Sequence, residues 1–140
     1  DELRDRRGLT YSVSSHFNAL EAAAPFQIEL QTRNHQAQEA LALMTQMLET
    51  FIDQGPGQDE LERAQKNITG GFALSIDSNR KIIDQLTMIG FYQLPLDYLD
   101  SYNRRILAVT VEDIKQAFRR RVKPEQMLRI VVGPGSGKSD

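Results

Sequence analysis

The sequence contains no cysteine, no tryptophan and only two histidines in 140 residues. The lack of cysteine excludes disulfide scaffolds, thiolate zinc sites and cysteine nucleophiles. The two histidines, His16 and His35, are too few for most closed metal sites. Because a chain without cysteine is compatible with both reducing and oxidising compartments, the composition does not select between them.

The sequence also lacks a surplus of positive charge and a long apolar run. Seventeen basic side chains against 19 acidic ones give a net charge of -2. This balance argues against a protein that holds nucleic acid or anionic membrane by charge. No run approaches the roughly 18 apolar residues of a membrane-spanning helix, and residues 1–7 lack the apolar stretch of a signal peptide. The start at Asp1, without methionine, leads us to expect a piece of a longer protein.

Two stretches alternate between apolar and polar residues, which is the pattern of strands with one buried face. The first covers residues 10–17 and the second residues 26–32. Small residues and a proline at 21–25 can reverse the chain between them. We therefore expect an antiparallel pair of strands.

Five amphipathic helices are expected between residues 34 and 121, because apolar residues recur there at steps of three and four. Signals for a helix start occur at Asn34, Gln58, Ser78 and Asp97, and residues 110–113, Thr-Val-Glu-Asp, resemble a capping box for the fifth helix. The apolar face of the first helix comprises Ala37, Ala40, Leu41, Met44, Met47, Leu48, Phe51 and Ile52. The third helix should bury Ile82, Ile83, Leu86 and Ile89.

A third strand is expected at residues 127–132, where branched apolar residues follow Pro124 and precede Gly133. Two strands, a block of helices and a returning strand predict an α+β fold. Its antiparallel sheet of about three strands would pack against about five helices. Residues 1–133 would form this domain, and residues 134–140 are typical of a disordered tail or linker.

Three short patterns have ordinary explanations. The glycine-rich residues 133–139 lack the first glycine and the following helix of a phosphate-binding loop. The glycosylation pattern at residues 67–69 lies inside a predicted helix. His16, His35 and Glu29 could share a metal, but isolated histidines without close spacing are usually surface residues.

Arg4 and Tyr11 form the most informative pair of side chains. They stand seven residues apart on either side of a passage from helix to strand. A guanidinium and a phenol could therefore converge on one cleft. From the residues alone, surface ion pairing for Arg4 and core packing for Tyr11 remain open alternatives.

Residues 2–13, Glu-Leu-Arg-Asp-Arg-Arg-Gly-Leu-Thr-Tyr-Ser-Val, resemble the second-domain signature of the pitrilysin/insulinase family of zinc metallopeptidases. The mitochondrial processing peptidase is a relative in this family. Five further pieces follow in the family's order with similar spacing, at residues 61–66, 70–72, 94–99, 108–114 and 130–133. The resemblance covers residues 1–133.

The resemblance implies a parent protein of two related α+β halves that enclose a peptide-binding chamber. Zinc would be bound in the first half by a His-x-x-Glu-His motif, which this sequence lacks. The zinc cofactor is therefore expected outside this chain. In the family, an arginine and a tyrosine seven residues apart in the second domain reach the substrate beside the zinc, and Arg4 and Tyr11 match them. Tyr11 would donate to the oxyanion or scissile carbonyl, and Arg4 would hold substrate carbonyls.

The resemblance thus implies the C-terminal, non-zinc-binding part of a zinc endopeptidase, which positions a peptide for hydrolysis. Its partner would be a zinc-bearing N-terminal half or a partner subunit, and the fragment alone is expected to be inactive. The alternative is part of a zinc-less, non-catalytic partner or structural subunit of the same family. No nucleic-acid partner is expected.

The resemblance also implies that an earlier strand of the same domain is absent from this sequence. The sheet would then expose an edge whose backbone N–H and C=O groups have no neighbour. We expect the fragment to self-associate, most simply as a two-fold dimer.

Overall fold

The computed structural model of the chain describes residues 10–18 and 25–133. Its strands and α-helices are β1 Ser12–Phe17, β2 Phe26–Gln31, α1 Ala37–Gln54, α2 Gln58–Phe72, α3 Asn79–Phe91, α4 Tyr98–Leu107 and α5 Val111–Arg121. Short 3-10 turns occur at Asn34–Gln36, Ala73–Ser75 and Pro124–Gln126. The expected α+β fold with five helices is confirmed. Arg4 and the predicted tail at 134–140 lie outside the described residues.

The first two predicted strands form an antiparallel hairpin. Ser12 lies opposite Gln31 and Phe17 lies opposite Phe26. On β2, Phe26, Ile28 and Leu30 are half-buried, whereas the residues between them are exposed. The alternation in the sequence therefore predicted the half-buried face of β2. The same expectation is wrong for β1, on which Val13 alone is half-buried.

The third predicted strand is wrong for the part of the chain that the structure describes. Residues 127–132 have no ladder partner there, and the sheet contains two strands. Leu128, Ile130 and Val132 are 84%, 75% and 93% exposed. The branched residues give this segment the composition of a strand, but a strand also needs a neighbouring backbone at hydrogen-bonding distance.

The chain divides into two compact units. The first contains the described residues up to Asp53 and from Phe118 onward, and the second is Gln54–Ala117. In the first unit, the rings of Phe17, Phe26 and Phe51 lie 5.7, 5.6 and 4.9 Å from the ring of Phe118. This aromatic cluster joins the hairpin to α1 and to the last turn of α5.

The predicted apolar face of α1 lies in the interior of the first unit. Ala40 and Leu48 are buried, and the other predicted members of that face are half-buried. The C-terminal end of the helix is held by Arg119, whose Nη2 donates to the Asp53 carbonyl and to Asp53 Oδ1, both at 3.0 Å. Its Nε also donates to the Ile52 carbonyl at 3.3 Å. A cation at this position satisfies carbonyls that have no partner within the helix.

In the second unit, one amide side chain connects α2 to the residues that end α4. Gln65 Nε2 donates to the carbonyls of Ile106 at 3.0 Å and Val109 at 2.9 Å. The rings of Phe72 and Tyr102 stack at 4.7 Å on the same pair of helices. The predicted capping box of α5 is present, because Thr110 N–H donates to Asp113 Oδ2 at 2.9 Å and Asp113 N–H donates to Thr110 Oγ1 at 3.1 Å.

The expectation that α3 buries four apolar residues is wrong for three of them. Ile89 is buried, but Ile82, Ile83 and Leu86 are exposed. A period of three and four identifies one face of a helix, yet it does not show how much of that face a neighbour covers.

Candidate functional site

Tyr11 lies at the open end of the hairpin, directly before β1. Its backbone N–H donates to the Gln31 carbonyl at 2.8 Å, so the end of β2 holds the backbone at this position. Thr10, the residue before it, is buried, whereas Tyr11 is 65% exposed. The hairpin therefore fixes the backbone of Tyr11 and leaves its phenol accessible. Within the part of the chain that the structure describes, Tyr11 does not pack in the core, contrary to the alternative left open by the sequence.

Among the described residues, the hydroxyl of Tyr11 is hydrogen-bonded to one charged side chain. Nε of Arg33 donates to Tyr11 Oη at 3.1 Å. This hydrogen bond and the adjacent phenol raise the pKa of Arg33 above its usual value. A guanidinium only donates, so it occupies a lone pair of the phenol oxygen and the hydroxyl proton must point elsewhere. The Tyr11 O–H is thus available as a donor to another oxygen.

Arg33 was missed in the sequence because it is 22 residues from Tyr11. The signal that could have revealed it is the strand register. Ser12 pairs with Gln31, so the residue before β1 and the residues after β2 meet at one end of the hairpin. An arginine two positions beyond β2 is within reach of a side chain just before β1.

The second residue of the predicted pair, Arg4, lies outside the described residues. Its convergence with Tyr11 on one cleft stays a prediction.

The described residues do not fit a zinc ion. His16 on β1 and His35 in the turn before α1 are both exposed. Across residues 10–18 and 25–133, no three His, Cys, Asp or Glu side chains cluster at distances that could hold a metal. A structural zinc site normally has four such ligands, and a catalytic site has three.

We expect the 140-residue chain to retain no zinc. Metal analysis after dialysis against buffer with a trace of zinc should give far less than one zinc per chain. One tightly held zinc per chain that disappears in His16→Ala or His35→Ala would contradict this prediction.

None of the helices that the structure describes is both long and apolar enough to cross a membrane.

Comparison with known proteins gives matches to peptidases. Residues 1–68 match the family model described as the peptidase M16 inactive domain. An uncharacterised zinc protease of Streptomyces coelicolor is 25% identical over 133 residues, which are 95% of this chain and 29% of that protein.

Two solved structures resemble the fold. The structure of a peptidase M16 inactive domain from Pseudomonas fluorescens has a TM-score of 0.81 and 38% identity, and the match covers 88% of this chain and 29% of that chain. A protease from Helicobacter pylori has a TM-score of 0.69 at 22% identity, and the match covers 89% of this chain and 30% of that chain. The second likeness concerns the fold alone.

The chain spans less than a third of the length of each of these relatives. The matches nevertheless cover most of this chain, and the ordered sequence pieces agree with the family that the comparisons give. The chain belongs to the pitrilysin/insulinase, or M16, family of peptidases and corresponds to part of its inactive, C-terminal domain.

Proposed function

We propose that this chain is the substrate-side part of a zinc endopeptidase, in which Tyr11 donates a hydrogen bond to the carbonyl oxygen of the scissile peptide bond. One observation carries this proposal: the exposed phenol of Tyr11 accepts a hydrogen bond from Arg33, which leaves its own proton to donate. The zinc protease of Streptomyces coelicolor supports the wider assignment to peptide hydrolysis.

Hydrolysis of a peptide bond is favoured by a hydrogen-bond donor beside the carbonyl oxygen of the scissile bond. Attack on a peptide carbonyl carbon moves negative charge onto the carbonyl oxygen, and a fixed O–H donor stabilises that charge where it develops. Arg33 supports the donor in two ways. Its N–H fixes the direction of the hydroxyl, and its positive charge polarises the phenol so that the O–H becomes a stronger donor.

The rest of the proposed site lies beyond the described residues of this chain. Arg4 would hold substrate backbone carbonyls with its fork of N–H donors. The zinc would be bound by a zinc-bearing half or partner subunit, because the described residues do not fit the metal. The alternative is that the longer protein lacks zinc and has a structural role. Loss of peptide hydrolysis on removal of the Tyr11 hydroxyl would favour the endopeptidase over this alternative.

Substitution of Arg33 tests the hydrogen bond that carries the proposal. In the peptidase assembled with its zinc-bearing half, Arg33→Gln should lower kcat by about three- to tenfold. The reduction is modest because an exposed charged donor stabilises the transition state by only a small free energy. KM should change little, because Arg33 acts through the phenol and does not bind the peptide. Arg33→Lys, which keeps the charge, should restore part of the lost kcat.

The same substitution in a Tyr11→Phe background is the control. Without the hydroxyl, Arg33 has no oxygen to orient, so Arg33→Gln should then have almost no further effect. Equal losses in the two backgrounds would show that Arg33 acts independently of Tyr11.

A further inference from the structure

The outward side of α3 carries apolar side chains that the described part of the second unit leaves exposed. Ile83 is 61% exposed and Leu86 is 56% exposed, and Ile82 beside them is 39% exposed. Since successive residues of an α-helix are about 100° apart, these three side chains lie within an arc of about 100°. Gly90 lies one turn after Leu86, and a Cβ added to it would meet nothing within 4 Å. We call the surface formed by these four residues the α3 stripe.

The α3 stripe is suited to packing against one further helix. Side chains three and four residues apart form a ridge that fits the groove of a neighbouring helix. Gly90 has no side chain, so a neighbouring backbone can approach it closely. Leu74 adds an exposed apolar side chain beside the first turn of α3, because Lys81 Nζ donates to the Leu74 carbonyl at 2.7 Å. A contiguous exposed apolar surface of this kind is typical of an interaction site.

Two opposite charges lie along one border of the α3 stripe. Arg80 and Asp84 are both exposed and stand one turn apart, next to Ile83. Neither side chain forms an ion pair within the part of the chain that the structure describes. The other border turns towards the interior of the second unit, where Ile89 is buried. The first border therefore presents one positive and one negative group to a docked partner.

A second copy of this chain matches this arrangement of charges. In two antiparallel helices related by a two-fold axis, each border of one helix meets the same border of the other. If the axis passes beside Ile82, Arg80 of each copy lies beside Asp84 of the other copy, at two equivalent places. A parallel copy would instead place like charges together. A helix of unrelated sequence would match the pattern only by chance.

We propose that the α3 stripe is an interface between two copies of this chain, whose α3 helices pack antiparallel about a two-fold axis beside Ile82. The contact involves one face of one helix, which is small against the roughly 1,600 Å² that a typical stable complex buries. The dimer should therefore be weak, with a Kd of about 10 to 100 µM. This contact is separate from the edge of the sheet and does not depend on the role of Tyr11.

Exchange of the two charges tests the proposal by sedimentation equilibrium of the 140-residue chain, at concentrations from about 1 to 500 µM. Arg80→Asp should raise the Kd of the dimer by about tenfold or more, because like charges then meet at both places. Asp84→Arg should do the same. An equal mixture of the two variants should dimerise as well as the unmodified chain, since each variant supplies the charge that the other needs. An effect on helix stability within one copy would persist in the mixture.

Two glutamate variants test the apolar part of the interface. Ile83→Glu places a charge at the centre of the α3 stripe and should raise the Kd of the dimer by about tenfold or more. Leu107→Glu is the matched control, because Leu107 is 58% exposed at the end of α4 in the same unit. This change should leave the Kd within about twofold. Circular dichroism shows whether both variants keep their helices.

Three results would each overturn the proposal. The first is a chain that stays monomeric over the whole concentration range. The second is self-association that Arg80→Asp, Asp84→Arg and Ile83→Glu leave unchanged, because the copies would then meet at another surface, such as the edge of the sheet. The third is a mixture of the two charge variants that dimerises no better than either variant alone. This last comparison remains decisive if Ile83→Glu fails to fold.

Discussion

Replacement of Tyr11 by phenylalanine, in the peptidase assembled with its zinc-bearing half, is expected to lower kcat by about 10²- to 10³-fold. The change replaces only the hydroxyl group by hydrogen, so the aromatic ring remains. The hydrogen bond from the backbone N–H of residue 11 to the Gln31 carbonyl also remains. Because the donor acts on charge that develops in the transition state, KM should change little. Steady-state kinetics with a fluorogenic peptide measure both constants.

Tyr98→Phe is the control for loss of a phenol hydroxyl elsewhere in the chain. Tyr98 is half-buried in the second unit, where Arg105 lies 5.6 Å from the centre of its ring. The ring and this cation contact survive the change, so kcat should stay near that of the unmodified protein. Arg4→Ala should differ from both variants by raising KM as well. Near-normal kcat in Tyr11→Phe would contradict the proposed role of Tyr11.

Replacement of Phe118 by alanine is expected to lower the free energy of unfolding by about 3 kcal/mol. Its ring contacts three others, from β1, β2 and α1, at centroid distances of 4.9 to 5.7 Å. Removing the ring leaves a space that these neighbours cannot all fill, because each is anchored in a different element. Urea denaturation of the 140-residue chain provides the measurement.

Phe91→Ala is the matched control for the stability experiment. Phe91 is 60% exposed at the end of α3, and its described ring contact is with the adjacent Tyr92. Its loss should cost less than about 1 kcal/mol. Equal losses in the two variants would mean that Phe118 does not organise the first unit.

The sequence predicted the elements whose signals are local. The alternation at residues 26–32 identified the half-buried face of β2, and the apolar spacing along α1 identified a face that is buried or half-buried throughout. Thr110 and Asp113 were recognisable as a capping box because both partners lie within one turn. These features depend on neighbours in sequence, so one sequence suffices to find them.

The predictions that failed concern features that depend on residues distant in sequence. Residues 127–132 have the composition of a strand, but pairing requires a partner backbone that composition does not reveal. The spacing of Ile82, Ile83 and Leu86 identified a helix face without showing what covers it. The sequence alone did not reveal the contact between Arg33 and Tyr11, because only the register of the hairpin brings the two residues together.

Photocrosslinking from position 11 tests most directly whether this residue contacts the peptide substrate at the scissile bond. Tyr11 is replaced by p-benzoylphenylalanine in the assembled peptidase, zinc is removed with a chelator to prevent cleavage, and a bound peptide is irradiated. The proposed role predicts crosslinks confined to the residues that flank the scissile bond, and none from the same group at position 98. Crosslinks elsewhere on the peptide, or none while the peptide remains bound, would contradict the role of Tyr11 at the reacting carbonyl.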